Sequence, residues 1–208
     1  MDQEKSALSI GQLRRKISMQ KILIDTDPGQ DIDDLLAIHF ALKRPELDVR
    51  AITTVTYPSA KRARLAKSLL RRMGRSDIPV AAGMDLPLRD LSAEELKFQK
   101  DFSRTMNHYA FAEPEDPADA PDSADAVELI IESVDKHPGE IALCCIAPLT
   151  NVACAFRRRP DIAGKIKFLA MMGGEPHLNR REHNVAFDYA AAAIVLGSGA
   201  RIYMGTWD

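Results

Sequence analysis

Apolar residues fall in short runs separated by longer stretches in which they recur every three or four positions, and this alternation predicts the elements. Ile22-Leu23-Ile24 reads as a short buried strand, and residues 35–42 follow as a helix with an apolar face. Residues 49–55 predict a second strand. Residues 58–74 predict a helix, with Ala63, Leu65, Ala66, Leu69, Leu70 and Met73 at helical spacing. Residues 78–83 give a third short strand, and residues 92–105 a charged helix. Beyond an irregular stretch come a helix at 124–136 capped by Ser123, a strand at 140–146 and a helix at 149–158 stopped by Pro160. A strand at 166–172, a helix at 188–196 and a strand at 200–204 complete the series. Strands separated by helices imply βαβ units with right-handed crossovers. The expected fold is therefore α/β, an open, mostly parallel sheet with helices on both faces. No internal repeat is visible.

Two charged stretches interrupt the pattern. The helix at 58–74 carries Lys61, Arg62, Arg64, Lys67, Arg71 and Arg72, which read as the solvated face of an amphipathic helix rather than a nucleic-acid patch. Residues 110–123, AFAEPEDPADAPDS, read as a solvated acidic loop whose prolines keep its carboxylates from converging. A long irregular segment in a compact domain has the character of a lid or binding loop.

Composition narrows the function classes. The chain has 208 residues, 46% of them hydrophobic, enough for one domain with a substantial core. A formal net charge of −2 gives no electrostatic footprint for nucleic acid. No apolar run approaches the length of a membrane span. Residues 1–18 form a polar tail without a signal-peptide hydrophobic region, leaving a domain from 19 to 208. Cys144, Cys145 and Cys154 are odd in number and lie in apolar surroundings, the expectation for buried thiols in a reducing cytoplasm.

The chemistry is concentrated after the first strand. Asp25, Asp27, Asp31, Asp33 and Asp34 fall within ten residues, broken by the turn-forming Pro28-Gly29. Carboxylates this close repel unless a positive charge sits among them, and their oxygens suit a hard cation, Ca²⁺ or Mg²⁺. Helix capping accounts for Asp31 or Asp33 but not for all five. An EF-hand loop fits poorly, since the spacing lacks the Gly and the terminal Glu it needs.

These residues carry a family resemblance. DTDPG followed by the pair Asp33-Asp34 and L-A-I resembles the opening signature of the inosine-uridine-preferring nucleoside hydrolases, Ca²⁺-dependent enzymes that cleave the N-glycosidic bond of ribonucleosides. ITTV at 52–55, DIPVAAG at 77–83, APLTN at 147–151, MGG at 172–174 and Glu182-His183-Asn184 with Asp188 extend the likeness over residues 19–208. The resemblance implies a Rossmann-like sheet. It makes Asp27 the general base and a metal ligand, and Asp34 the second carboxylate on the metal. Thr150 would offer its backbone carbonyl to the metal. Asp33, Glu182 and Asn184, joined by Asn179, would hold the ribose hydroxyls. Neither His108 nor His183 shows more than a solvated loop histidine would. The implied partner is a small-molecule ribonucleoside, with self-association left open.

Two departures stand out. Thr56-Tyr57-Pro58 replaces the Asn or Asp that touches the sugar in the family, and the family's later His-Asp pair has no counterpart, so the expectation is a chain lacking the C-terminal portion. Three readings follow. The first is a truncated nucleoside hydrolase, and the second a non-catalytic relative that keeps the fold. The third is a haloacid-dehalogenase-like Mg²⁺ phosphohydrolase using the Asp25-Thr26-Asp27 triplet, with an Asp nucleophile.

Overall fold

The computed structural model describes residues 19–104, 116–177 and 180–206. Six strands, β1 (Gln20–Thr26), β2 (Leu47–Thr54), β3 (Val80–Ala82), β4 (Ile141–Cys145), β5 (Phe168–Met172) and β6 (Ile202–Gly205), form one sheet in the order β3-β2-β1-β4-β5-β6. All five pairings are parallel, with Asp25 level with Thr53 on one side and with Cys145 on the other. The order reverses direction between β1 and β4, so the crossovers diverge there and leave a crevice at the strands' carboxyl ends.

Side chains alternate along β1 and feed two cores. Ile22 and Ile24 pack with Ile38 of α1 (Asp33–Lys43) and with Ala63, Ala66 and Leu70 of α2 (Ser59–Arg72). Leu23 packs with the opposite layer, formed by α4 (Ala126–Lys136), α5 (Thr150–Arg158) and α7 (Tyr189–Leu196). A sheet covered on both faces follows from strands that are apolar on both sides. β6 is an edge strand, and its Tyr203 and Met204 are exposed.

The remaining helices are short and capped by their own acids and hydroxyls. The helix α3 (Ala93–Ser103) begins with a capping box between Ser92 and Glu95, and α6 (His183–Phe187) is capped by Glu182. Two caps differ from expectation. Asp125, not Ser123, accepts from Glu128 N at the start of α4, while the Ser123 hydroxyl accepts from Asp125 N one step earlier. At α1 the N-cap is Ile32 with no side-chain cap bond, so the acids of the elbow are not engaged as caps.

Both charged stretches also depart in part from the solvated reading, chiefly because they face each other, while Arg62 is buried under the loops after β1 and β2. Arg71 binds Asp119 through two hydrogen bonds, Lys67 binds Asp122, and Arg64 donates to the Asp116 carbonyl. Asp119 is wholly buried, and Arg62 and Lys67 are buried as well. The acidic segment also pairs with the edge of β3, Ala82 N donating to Ser123 O and Asp122 N to Val80 O. Its described part, residues 116–123, is thus a cover over α2 and β3 rather than a lid; the rest of the stretch lies outside the described residues. Among the cysteines, only Cys145 is fully buried, and all three are free thiols.

Candidate active site

The elbow after β1 is shaped by Pro28 and by Gly29, whose φ of 133° a side chain would resist. It turns the chain from the strand into α1 and leaves Asp27, Gln30, Asp31, Asp33 and Asp34 along one wall of a cavity of about 510 Å³. The opposite wall is Ile146 after β4, Met172 at the end of β5, and Glu182, His183 and Asn184. Five residues expected to work together, Asp27, Asp33, Asp34, Glu182 and Asn184, therefore line one space at the switch point of the sheet. Thr150 is not among the lining residues: it is buried at the start of α5, and its hydroxyl donates to Asp188 at 2.6 Å. Asn179 and His108 lie outside the described residues.

Burial and crowding dominate the electrostatics. Desolvation raises the Asp27 carboxyl well above 3.8. The Arg62 guanidinium opposes that shift, whereas the charges of Asp34, Asp25 and Asp33 add to it. Asp34 is pushed up to about 6, chiefly by burial, although the Thr26 hydroxyl donates to it at 2.5 Å. Asp25, fully enclosed, is raised to about 7 by burial against hydrogen bonds from Thr53 and Asn151. Its second oxygen has no hydrogen-bond partner. Enclosure also removes Asp25 as a nucleophile, because its carboxylate cannot reach a phosphate ester.

The other wall is more rigid than the sequence suggests. Glu182 accepts from the backbone N–H groups of Gly174, Asn184 and Val185 at 2.7–2.9 Å, which folds the loop after β5 against α6. A carboxylate has about four lone-pair sites, so one remains for a ligand. The Asn184 amide nitrogen donates to Met172 O at 3.2 Å and Ile146 O at 3.4 Å, so its carbonyl oxygen remains available as an acceptor in the cavity lining. Asp188, which the family likeness sets beside the ribose segment, is engaged with Leu88 N, Thr150 and Ala191 N and serves the scaffold.

Next to the acidic cavity lies a second, of about 520 Å³, that shares Asp27, Gln30 and His183 with it. Its lining is largely apolar: Leu91, Phe98 and Phe102 around α3, with Phe187. Phe98 and Phe102 are stacked 5.4 Å apart. Sequence reasoning passed over this wall; its signal was an aromatic pair four residues apart on an otherwise charged helix. It also passed over Arg62, because nothing in a basic helix marks which cation is buried.

A profile of the inosine-uridine preferring nucleoside hydrolases matches residues 22–208, from within β1 through β6. The chain belongs to that family. It is 34% identical over 190 residues to uridine nucleosidase 1 of Arabidopsis thaliana, covering 88% of this chain and 55% of that protein. It is 36% identical over 193 residues to a pyrimidine-specific ribonucleoside hydrolase, RihA, of Salmonella arizonae, covering 90% and 60%. Among solved structures, a plant nucleoside hydrolase, the PpNRh1 enzyme, superposes with a TM-score of 0.75 at 34% identity, covering 90% of this chain and 59% of its own. The purine-preferring ribonucleoside hydrolase of Gardnerella vaginalis gives the same TM-score at 30% identity. This nucleoside hydrolase-family chain spans about 55–60% of the length of these relatives. Among its described residues no helix is long and apolar enough to cross a membrane.

The donors suit a hard cation: Asp27 and Asp34 offer carboxylate oxygens to a shared cavity, and burial holds each above its ordinary pKa. Among the described residues, no three His, Cys, Asp or Glu side chains converge to hold a metal unaided. A cation here would have two carboxylates as side-chain ligands and would need carbonyl, water or substrate oxygens for the rest.

Proposed function

We propose that this chain carries the cation- and sugar-binding part of a nucleoside hydrolase site and hydrolyses the N-glycosidic bond of ribonucleosides in the presence of Ca²⁺. The observation that supports the reading is the convergence of Asp27, Asp33, Asp34, Glu182 and Asn184 on one cavity at the sheet's switch point. Asp27 and Asp34 would hold the ion, and backbone carbonyls of the cavity wall, water and substrate oxygens would complete its shell. Calcium, when bound, supplies positive charge that lets the two carboxylates ionise together and makes a neighbouring water more acidic.

The protein's own groups perform the rest. Cleavage of a ribosyl C–N bond passes through a state with positive charge on the sugar, so the site must orient water and tolerate that charge. Asp27 accepts the water's proton, and its raised pKa suits a general base. Asp33, Glu182 and the carbonyl oxygen of Asn184 are acceptors for ribose hydroxyls, and their negative character favours the cationic sugar. The neighbouring cavity, with Phe98, Phe102 and Phe187, offers aromatic faces for the departing base.

The test is release of reducing sugar from inosine and uridine by the purified chain with added Ca²⁺. Release that requires the ion and is lost in Asp27→Ala supports the reading. No release, with Asp27→Ala indistinguishable from the parent, shows a non-catalytic relative that keeps the fold.

A further inference from the structure

Among the described residues, Arg62 is the largest fully buried side chain, 1% exposed on the first turn of α2. Its guanidinium is divided between two loops. From the elbow after β1 it binds the carbonyls of Asp27 and Pro28, the latter at 3.2 Å. From the turn after β2 it binds the carbonyls of Thr56, at 3.0 Å, and Tyr57, at 3.4 Å. The Asp27 carboxylate lies 3.9 Å from it. A planar fork with five N–H donors can serve four carbonyls on two strands' ends; an ammonium on a flexible stem cannot.

The turn that Arg62 holds is strained. Thr56 is β-branched and sits at φ 68°, a conformation that persists only when its surroundings enforce it. Its N–H is tied to Met84 O at 2.8 Å and its carbonyl to Arg62, so the backbone is gripped from both sides. Thr56, Tyr57, Asp27 and Arg62 all line the aromatic cavity. Charge alone does not account for the arginine, because a fixed cation beside Asp27 opposes binding of another cation.

We propose that Arg62 is the positioning residue of this cleft. It joins the Asp27-Pro28 elbow to the Thr56-Tyr57 turn, so that the Asp27 carboxylate keeps its aim into the cavity shared with Asp34. The proposal rests on the reading of Asp27 as a metal-binding base. It makes the replacement of the family's sugar-contacting residue by Thr56-Tyr57-Pro58 part of one device, in which a buried fork stabilises a turn that lacks the usual side chain.

The full chain with Arg62→Lys and Arg62→Met, followed by hydrogen exchange and by calcium titration calorimetry, tests this. Both variants are expected to exchange the amides of residues 27–31 and 55–57 at least tenfold faster, with β4 and β5 at parental rates. Both are expected to bind calcium at least tenfold more weakly. Parental exchange and affinity in Arg62→Lys would show that charge, not the fork, matters and would overturn the proposal. So would tighter calcium binding in either variant, or acceleration spread evenly over the sheet. A parent that binds no calcium refutes the hydrolase reading instead, and the exchange pattern then decides the role of Arg62 by itself.

Discussion

One guanidinium, that of Arg71, holds both carboxylate oxygens of the fully buried Asp119, at 2.8 and 3.0 Å. The pair joins the acidic segment to α2 and explains why that segment is ordered over the edge of β3. Asp119→Ala is expected to destabilise the chain by about 2–3 kcal/mol, the scale of lost charge-assisted hydrogen bonds, read from urea unfolding. Arg71 lowers the Asp119 pKa below 3.8. The pair's contribution is therefore present above that pH and lost as pH falls through the folded value. The gap between parent and Asp119→Ala should close in acid.

Asp25 behaves with the opposite sign. Its folded pKa, raised to about 7 from 3.8, means that the native state holds a proton the unfolded chain has given up. Its contribution to stability is greatest below 3.8 and declines as pH rises through about 7. Asp25→Asn keeps an acceptor for Thr53 and Asn151 and cannot ionise. The stability difference between this variant and the parent should grow in the variant's favour between about pH 4 and 7. A flat difference across that range would contradict the assignment.

Gly83 approaches the buried Asn151 side chain so closely that a Cβ would stand 2.6 Å from Nδ2 and nearer still to Oδ1. Asn151 cannot move aside cheaply, because it bonds Asp25, the Thr54 carbonyl and Met84 N at once. Gly83→Ala is expected to cost about 2–4 kcal/mol, seen as a lower melting temperature with the fold retained by circular dichroism.

If the aromatic cavity receives the base, Phe98→Ala should raise KM for a ribonucleoside by about tenfold, the scale of one lost stacking contact, and leave calcium affinity unchanged. Equal KM values for parent and variant would remove Phe98 from the substrate site.

Much of the scaffold was legible because alternation of short apolar runs with amphipathic helices leaves few arrangements for a parallel sheet. The acids of the elbow were legible too, since five carboxylates in ten residues have few uses. What the sequence did not disclose is pairing at long range. Arg62 and Arg71 look alike in a basic helix, yet one is sealed beneath two loops and the other clasps an aspartate 48 residues away. Glu182 was visible as a candidate acid for the ribose but not as the acceptor of three backbone N–H groups. Such roles depend on where loops meet in space, which local spacing does not encode.

The central claim is that Asp27 and Asp34 together hold a calcium ion, and calorimetric titration of the full chain tests it most directly. The account predicts binding with a dissociation constant of about a millimolar or tighter. Asp34, raised to about 6, and Asp27, also raised by burial, must both lose their protons to solvent before the ion binds, so binding should strengthen as pH rises through about 6. Asp34→Asn should weaken it sharply. A titration without heat, or one unchanged by Asp34→Asn, would contradict the account.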